Sequence, residues 1–75
     1  MIAKYRVHPH AMDRFKKRFK SLDFNRELDL ATQFGEKRGL SYYLLSPNGV
    51  VFCCLGQAIK TVIPINYLPE TIRPD

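Results

Sequence analysis

Two histidines stand at the head of the most basic run in the chain, His8-P-H-A-M-D-R-F-K-K-R-F-Lys20. Histidine exchanges a proton near neutral pH, and arginine and lysine hold phosphate. RNA cleavage without a metal needs a base for the 2′-hydroxyl proton, an acid for the leaving oxygen and cations for the charge on phosphorus. At about 100° per residue on a helix, placing His10 at 0° puts Arg14 at roughly 40°, Lys17 at roughly 340° and Arg18 at roughly 80°. Ala11, Met12, Phe15 and Phe19 then form an adjoining apolar stripe, which Leu22 extends. A helix of this kind docks by its aromatic side and presents His10, Arg14, Lys17 and Arg18 on the other, with Lys20 continuing the run. A plain solvated helix face gives the same pattern, so a catalytic use rests on His10.

The elements that must position this stripe follow from local signals. Lys4 to His8 alternates like a short edge strand, and Pro9 suits the first turn of a helix running to about Lys20, with Asp13 and Lys17 spaced as an i,i+4 pair. Ser21-Leu22-Asp23 breaks the pattern, and Phe24, Leu28, Ala31 and Phe34 predict a second helix over 24–34, closed by Gly35 or Gly39. No charged residue occurs from Gly39 to Ile59. Ser46-Pro47-Asn48-Gly49 interrupts that stretch with a turn, which excludes a membrane-spanning helix and predicts strands over 40–45, 50–55 and 58–65. The expected order is strand, helix, helix, strand, strand, strand: an α+β fold in which two helices pack on a three- to four-stranded antiparallel sheet.

Composition bounds the rest. A chain of 75 residues with 45% hydrophobic content is one domain, residues 1–75, with a modest core. Its formal charge of +5 is concentrated in residues 1–20, which hold seven basic residues against Asp13 alone, and this favours a polyanionic partner. Adjacent Cys53 and Cys54 point to opposite faces of a strand and fit a reducing compartment, so a cytoplasmic location without export is expected.

Further candidates lie downstream. Lys60 and Thr61 are neighbours in the last strand, so one of them can share a site with the basic helix; strict alternation groups Thr61 with Ile59 and Ile63, and Lys60 with Ala58 and Val62. Tyr42 and Tyr43 also face opposite ways, and Tyr43 is a candidate for stacking on a base. His8 and His10 are spaced as a metal pair, but Pro9 between them and the lack of a nearby carboxylate argue against a metal site. No cofactor motif occurs. The middle strand, V-V-F-C-C-L, is apolar on both faces, so the side away from the helices needs a cover: the segment 66–75, with its prolines, a second copy of the chain, or another protein.

The motif H-A-x-x-R-x-x-x-R (His10, Ala11, Arg14, Arg18), a second helix and a meander whose last strand carries Thr61 in K-T-V-I resemble the small barnase, EndoU, colicin and RelE nuclease-fold families, most of all the H-A-x-x-R members grouped with toxins. That resemblance implies a metal-independent endoribonuclease, toxin-like and paired with an antitoxin. It gives His10 the acid or base role, Arg14 and Arg18 the scissile phosphate, and Thr61 a phosphate-contacting or orienting role. No glutamate falls on the expected strands to serve as a second base. The alternative is a non-catalytic module that binds nucleic acid through the same helix, or a protein partner or second copy through the apolar sheet face.

Overall fold

The computed structural model describes residues 5–72. In chain order the elements are β1 (Arg6–Val7), α1 (Pro9–Arg18), α2 (Phe24–Leu30), β2 (Thr32–Arg38), β3 (Ser41–Leu45), β4 (Val50–Leu55) and β5 (Ala58–Pro64), followed by 3-10 turns at Ile65–Tyr67 and Glu70–Ile72. The strands form one sheet in the order β1-β5-β4-β3-β2. All neighbours are antiparallel except β1, which pairs parallel to β5. The fold is therefore α+β with two helices and a five-stranded mixed sheet, one strand larger than the expected maximum. Of the expected first strand and prolines, Lys4 and Pro74 lie outside the described residues, as does the start of the chain read for an export signal. Among the described residues no helix is long and apolar enough to cross a membrane.

The extra strand is cut from the expected second helix. Ala31 takes an extended backbone (φ −75°, ψ 142°), and α2 stops at Leu30. Thr32, Gln33 and Phe34 then pair with Leu45, Leu44 and Tyr43. Phe34 matched the helical period only by coincidence: in the strand its ring stacks on Tyr43, with centroids 5.7 Å apart and planes at 23°. Cross-strand aromatic contact and ladder hydrogen bonds outweigh a weak helical preference at a β-branched and an aromatic residue. Gly35 and Gly39, expected to cap a helix, instead take positive φ inside β2 and in the β2–β3 turn.

The helices are held to the sheet by aromatic rings. Phe15 of α1 meets Phe24 of α2 edge-on at 5.1 Å, and Phe24 meets Phe52 of β4 edge-on at 5.5 Å. Leu44, Val50, Cys54, Ile59 and Val62 complete the same buried cluster with Ala11. Val51 is also fully buried yet stands outside that cluster, because its side chain leaves β4 on the opposite face from Phe52. The chain after β5 returns across that second face: Leu68 is buried, and Thr71 lines a cavity together with Tyr43 and Cys53. Of the three expected covers, the carboxy-terminal segment takes part of the work.

Glu27 of α2 is 2% exposed and forms no ion pair among the described residues. Its Oε1 accepts from Ser46 Oγ at 2.8 Å, and both oxygens accept from Asn48 Nδ2 at 3.1 and 3.0 Å. Ser46 Oγ in turn accepts from Val50 N at 3.2 Å, so one carboxylate ties α2 to the β3–β4 turn. Glu27→Ala leaves the buried Ser46 hydroxyl without this acceptor, and hydrogen bonds to a charged group are worth about 1.5–3 kcal/mol each. Denaturant unfolding should show a loss of about 3 kcal/mol, larger than for Glu36→Ala on the exposed β2. Burial, with Cys54 close by, raises Tyr42 to about 12, and burial together with Cys53 raises Cys54 to about 11. Both groups hold their protons longer folded than unfolded, so stability is complete below pH 9 and is lost as pH rises from 9 to 12. Thermal melting should fall across that window, and Tyr42→Phe should reduce the slope.

Candidate functional site

Helix α1 begins as the sequence suggests and ends earlier. His8 is its N-cap: the ring Nδ1 accepts from His10 N at 3.2 Å, and Pro9 occupies the first turn. His8 thus has a structural assignment, while His10 lies one residue inside the helix with its ring exposed. The helix stops at Arg18, with Phe19 as its C-cap, so Lys20 lies in the link to α2 and not on the helix.

The expected stripe is only partly a common surface. Arg14 Nε donates to His10 Nε2 at 3.4 Å, a long contact that places the guanidinium beside the imidazole on the outer face. Lys17 follows and pairs with Asp13 at 3.2 Å, both side chains more than half exposed. An exposed i,i+4 pair of this kind contributes about 0.3–0.5 kcal/mol and leaves the ammonium accessible to another anion. Arg18 has a different environment. Its Nη1 donates to the carbonyl of Val62 at 3.0 Å, and its guanidinium lies 5.0 Å from the centre of the Tyr67 ring.

That contact has a clear cause in the sheet. β1 covers the outer edge of β5 only beside Ala58 and Ile59, with Arg6 N donating to Gln57 O and His8 N to Ile59 O. Beyond Ile59 the edge carbonyls need another donor, and Arg18 supplies one at Val62. Arg18 is a support of the fold.

Thr61 lies across the sheet from α1. Cys53 pairs with Thr61 while Cys54 pairs with Ile59, so Lys60 is an extra residue, a β-bulge, with no partner in the ladder. The bulge breaks the simple alternation expected for this strand. Ile59 and Val62 both face the helices, and Thr61 faces away beside Cys53. Tyr42 packs on the helix side and its hydroxyl donates to Gly56 O at 2.6 Å, whereas Tyr43 faces away. The structure therefore brings His10, Arg14 and Lys17 together and separates them from Thr61 and Tyr43.

The face of the sheet away from the helices holds a cavity of about 720 Å³, with Arg38, Ser41, Tyr43, Leu55, Lys60 and Thr71 in its lining and Thr61 outside it. Glu36 also lines it, on β2, so a glutamate does occupy a strand here. Arg38 escaped the sequence analysis because β2 was expected to be helix and loop, whereas Ser41, inside the expected strand 40–45, and Thr71, in the tail expected as one possible cover, carry no local signal that they share a cavity. Burial raises the Cys53 thiol above its ordinary range, so it stays protonated at neutral pH. Among the described residues no group of three His, Cys, Asp or Glu is gathered as a metal site. Comparison with known proteins finds no matching family model, no similar relative and no matching solved structure.

His8→Ala removes the cap of α1 and should cost about 1 kcal/mol, lowering the melting temperature by about 4–8 °C, with His8→Ser restoring most of it. Arg18→Ala should also lower the melting temperature through the exposed β5 edge, whereas Arg14→Ala, on the outer face, should shift stability by less than about 0.5 kcal/mol.

Proposed function

We propose that this chain acts on RNA through the outer face of α1, as a small metal-independent endoribonuclease of RelE-like fold in the cytoplasm. The observation that carries the reading is His10 held beside Arg14 on an exposed helix face, with Lys17 one turn away. The basic surplus of residues 1–20 adds attraction for a polyanion. In this reading Arg14 and Lys17 hold the phosphate, and Lys20 extends the contact along the strand. The imidazole of His10 takes the 2′-hydroxyl proton, the 2′-oxygen attacks phosphorus, and the bond to the 5′-oxygen breaks. The leaving oxygen takes a proton from solvent, and the products are a 2′,3′-cyclic phosphate and a 5′-hydroxyl end. Arg18 serves through the fold, and Thr61 has no part in this face.

A second reading has its own support. Because Arg18 is engaged by Val62 and Thr61 lies across the sheet, the groups available for catalysis on α1 reduce to His10 and its two cations. A module that grips phosphate without cutting needs no more than this. A toxin role adds a short acidic protein as the antitoxin, a partner proposed on charge alone, and a homodimer through the sheet face is the other assembly to test.

Incubating purified protein with RNA in EDTA separates the readings. Cleavage predicts cyclic-phosphate ends and a loss of about 100-fold or more in His10→Ala. If wild type and His10→Ala leave RNA equally intact, the catalytic claim fails. Binding alone then predicts that Arg14→Ala and Lys17→Ala each lower affinity and reduce the salt slope by about 0.7 per cation.

A further inference from the structure

The second face of the sheet carries a site that owes nothing to α1. Arg38 closes β2, and Lys60 projects from the bulge of β5, with β3 and β4 between them. Arg38 is level with Ala58 across the sheet, and Lys60 lies two residues further along β5. Three strand spacings of about 4.8 Å and that offset set their backbones roughly 16 Å apart, a span that two long cationic side chains can close around an anion. Both line the cavity of about 720 Å³. Its floor includes Tyr43, whose ring is backed by Phe34 in a stacked pair, so a flat π-surface is already fixed in place. Ser41 and Thr71 contribute hydroxyls to the lining. Glu36 is the acid in the lining, and it stands against two cations. The Cys53 thiol is held neutral by burial and adds no negative charge.

A planar ring, a phosphate and several hydroxyl partners in one volume define the chemistry of the ligand. We propose that this cavity is a nucleotide pocket, with the phosphate between Arg38 and Lys60, the base against Tyr43, and Ser41 and Thr71 beside the sugar or base edge. Its volume lies inside the range of about 300–1,000 Å³ usual for small-molecule sites. Lys60 follows Ile59, which faces the helices, and has no partner in the β4–β5 ladder, so its side chain is free to reach the cavity on the other face. The nucleotide has two possible sources, a free mononucleotide or one residue of an RNA strand. His8 N bonds Ile59 O, which places the start of α1 one residue along the chain from Lys60, so a strand held by α1 can turn round this edge. Only that second source rests on the α1 reading.

Titration of the full chain with adenosine 5′-monophosphate, followed by backbone NMR, tests the pocket directly. Shifts should concentrate on Ser41, Tyr43, Cys53 and Thr71, and Arg38→Ala and Lys60→Ala should each weaken binding about 10-fold with melting temperatures close to wild type. Tyr43→Leu should weaken the nucleotide by a similar factor, while a parallel titration with inorganic phosphate, which needs only Arg38 and Lys60, should match wild type. Absence of shifts at the cavity, or equal affinity in wild type, Arg38→Ala and Lys60→Ala, overturns the proposal. A single-stranded oligonucleotide separates the sources: weaker binding in Lys60→Ala identifies a residue of the strand, and unchanged binding identifies the free nucleotide. The His10→Ala cleavage assay reads the α1 surface independently of these titrations.

Discussion

The edge-to-face sequence of rings from Phe15 through Phe24 to Phe52 is the contact on which the rest of the structure depends. It joins α1, α2 and the middle of the sheet in one line, and each ring pair adds about 0.5–1.5 kcal/mol to the area it buries. Because Phe15 points inward, His10, Arg14 and Lys17 are turned outward on the opposite side of a ten-residue helix. The direction in which the basic groups face is thus a consequence of aromatic packing. Glu27 performs a comparable service for the far end of the sheet, where its carboxylate fixes the Ser46–Gly49 turn to α2.

A single added residue divides the chemistry of the molecule into two surfaces. Lys60 has no partner in the β4–β5 ladder, and the strand's faces exchange on passing it. Thr61 therefore leaves the α1 side, where a regular strand would have grouped it with Ile59. On one face stands an imidazole with two accessible cations. On the other stands a cavity with two cations, hydroxyls and a stacked aromatic wall. The carboxy-terminal turns give that second face its cover, burying Leu68 and bringing Thr71 to the cavity.

Edge protection explains why the basic residues of α1 are unequal. β1 is two residues long and shields only the first part of β5. A cation at the end of α1 is well placed to donate to the next exposed carbonyl, and Arg18 does so while lying over Tyr67. Pro64 ends β5 with a residue that cannot donate, which also discourages pairing with another chain. Arg14 and Arg18 look equivalent on a helical wheel, yet one faces solvent beside His10 and the other completes the sheet.

The residues by themselves determined what depends on short range. Pro9 started α1, the i,i+4 spacing of Asp13 and Lys17 produced an ion pair, and Ser46-Pro47-Asn48-Gly49 made the turn between two strands. The basic and aromatic stripes of α1 were legible for the same reason, since a helix has a fixed period. Tertiary structure alone decided the rest. Phe34 and Tyr43 turned Thr32–Arg38 into a strand through a partner distant in the chain, and the bulge at Lys60 arose from the register against β4. Whether Arg18 served chemistry or the sheet edge depended on the carbonyl of Val62, 44 residues away. Pairing between strands, and the faces it selects, is a property of contacts that no local period encodes.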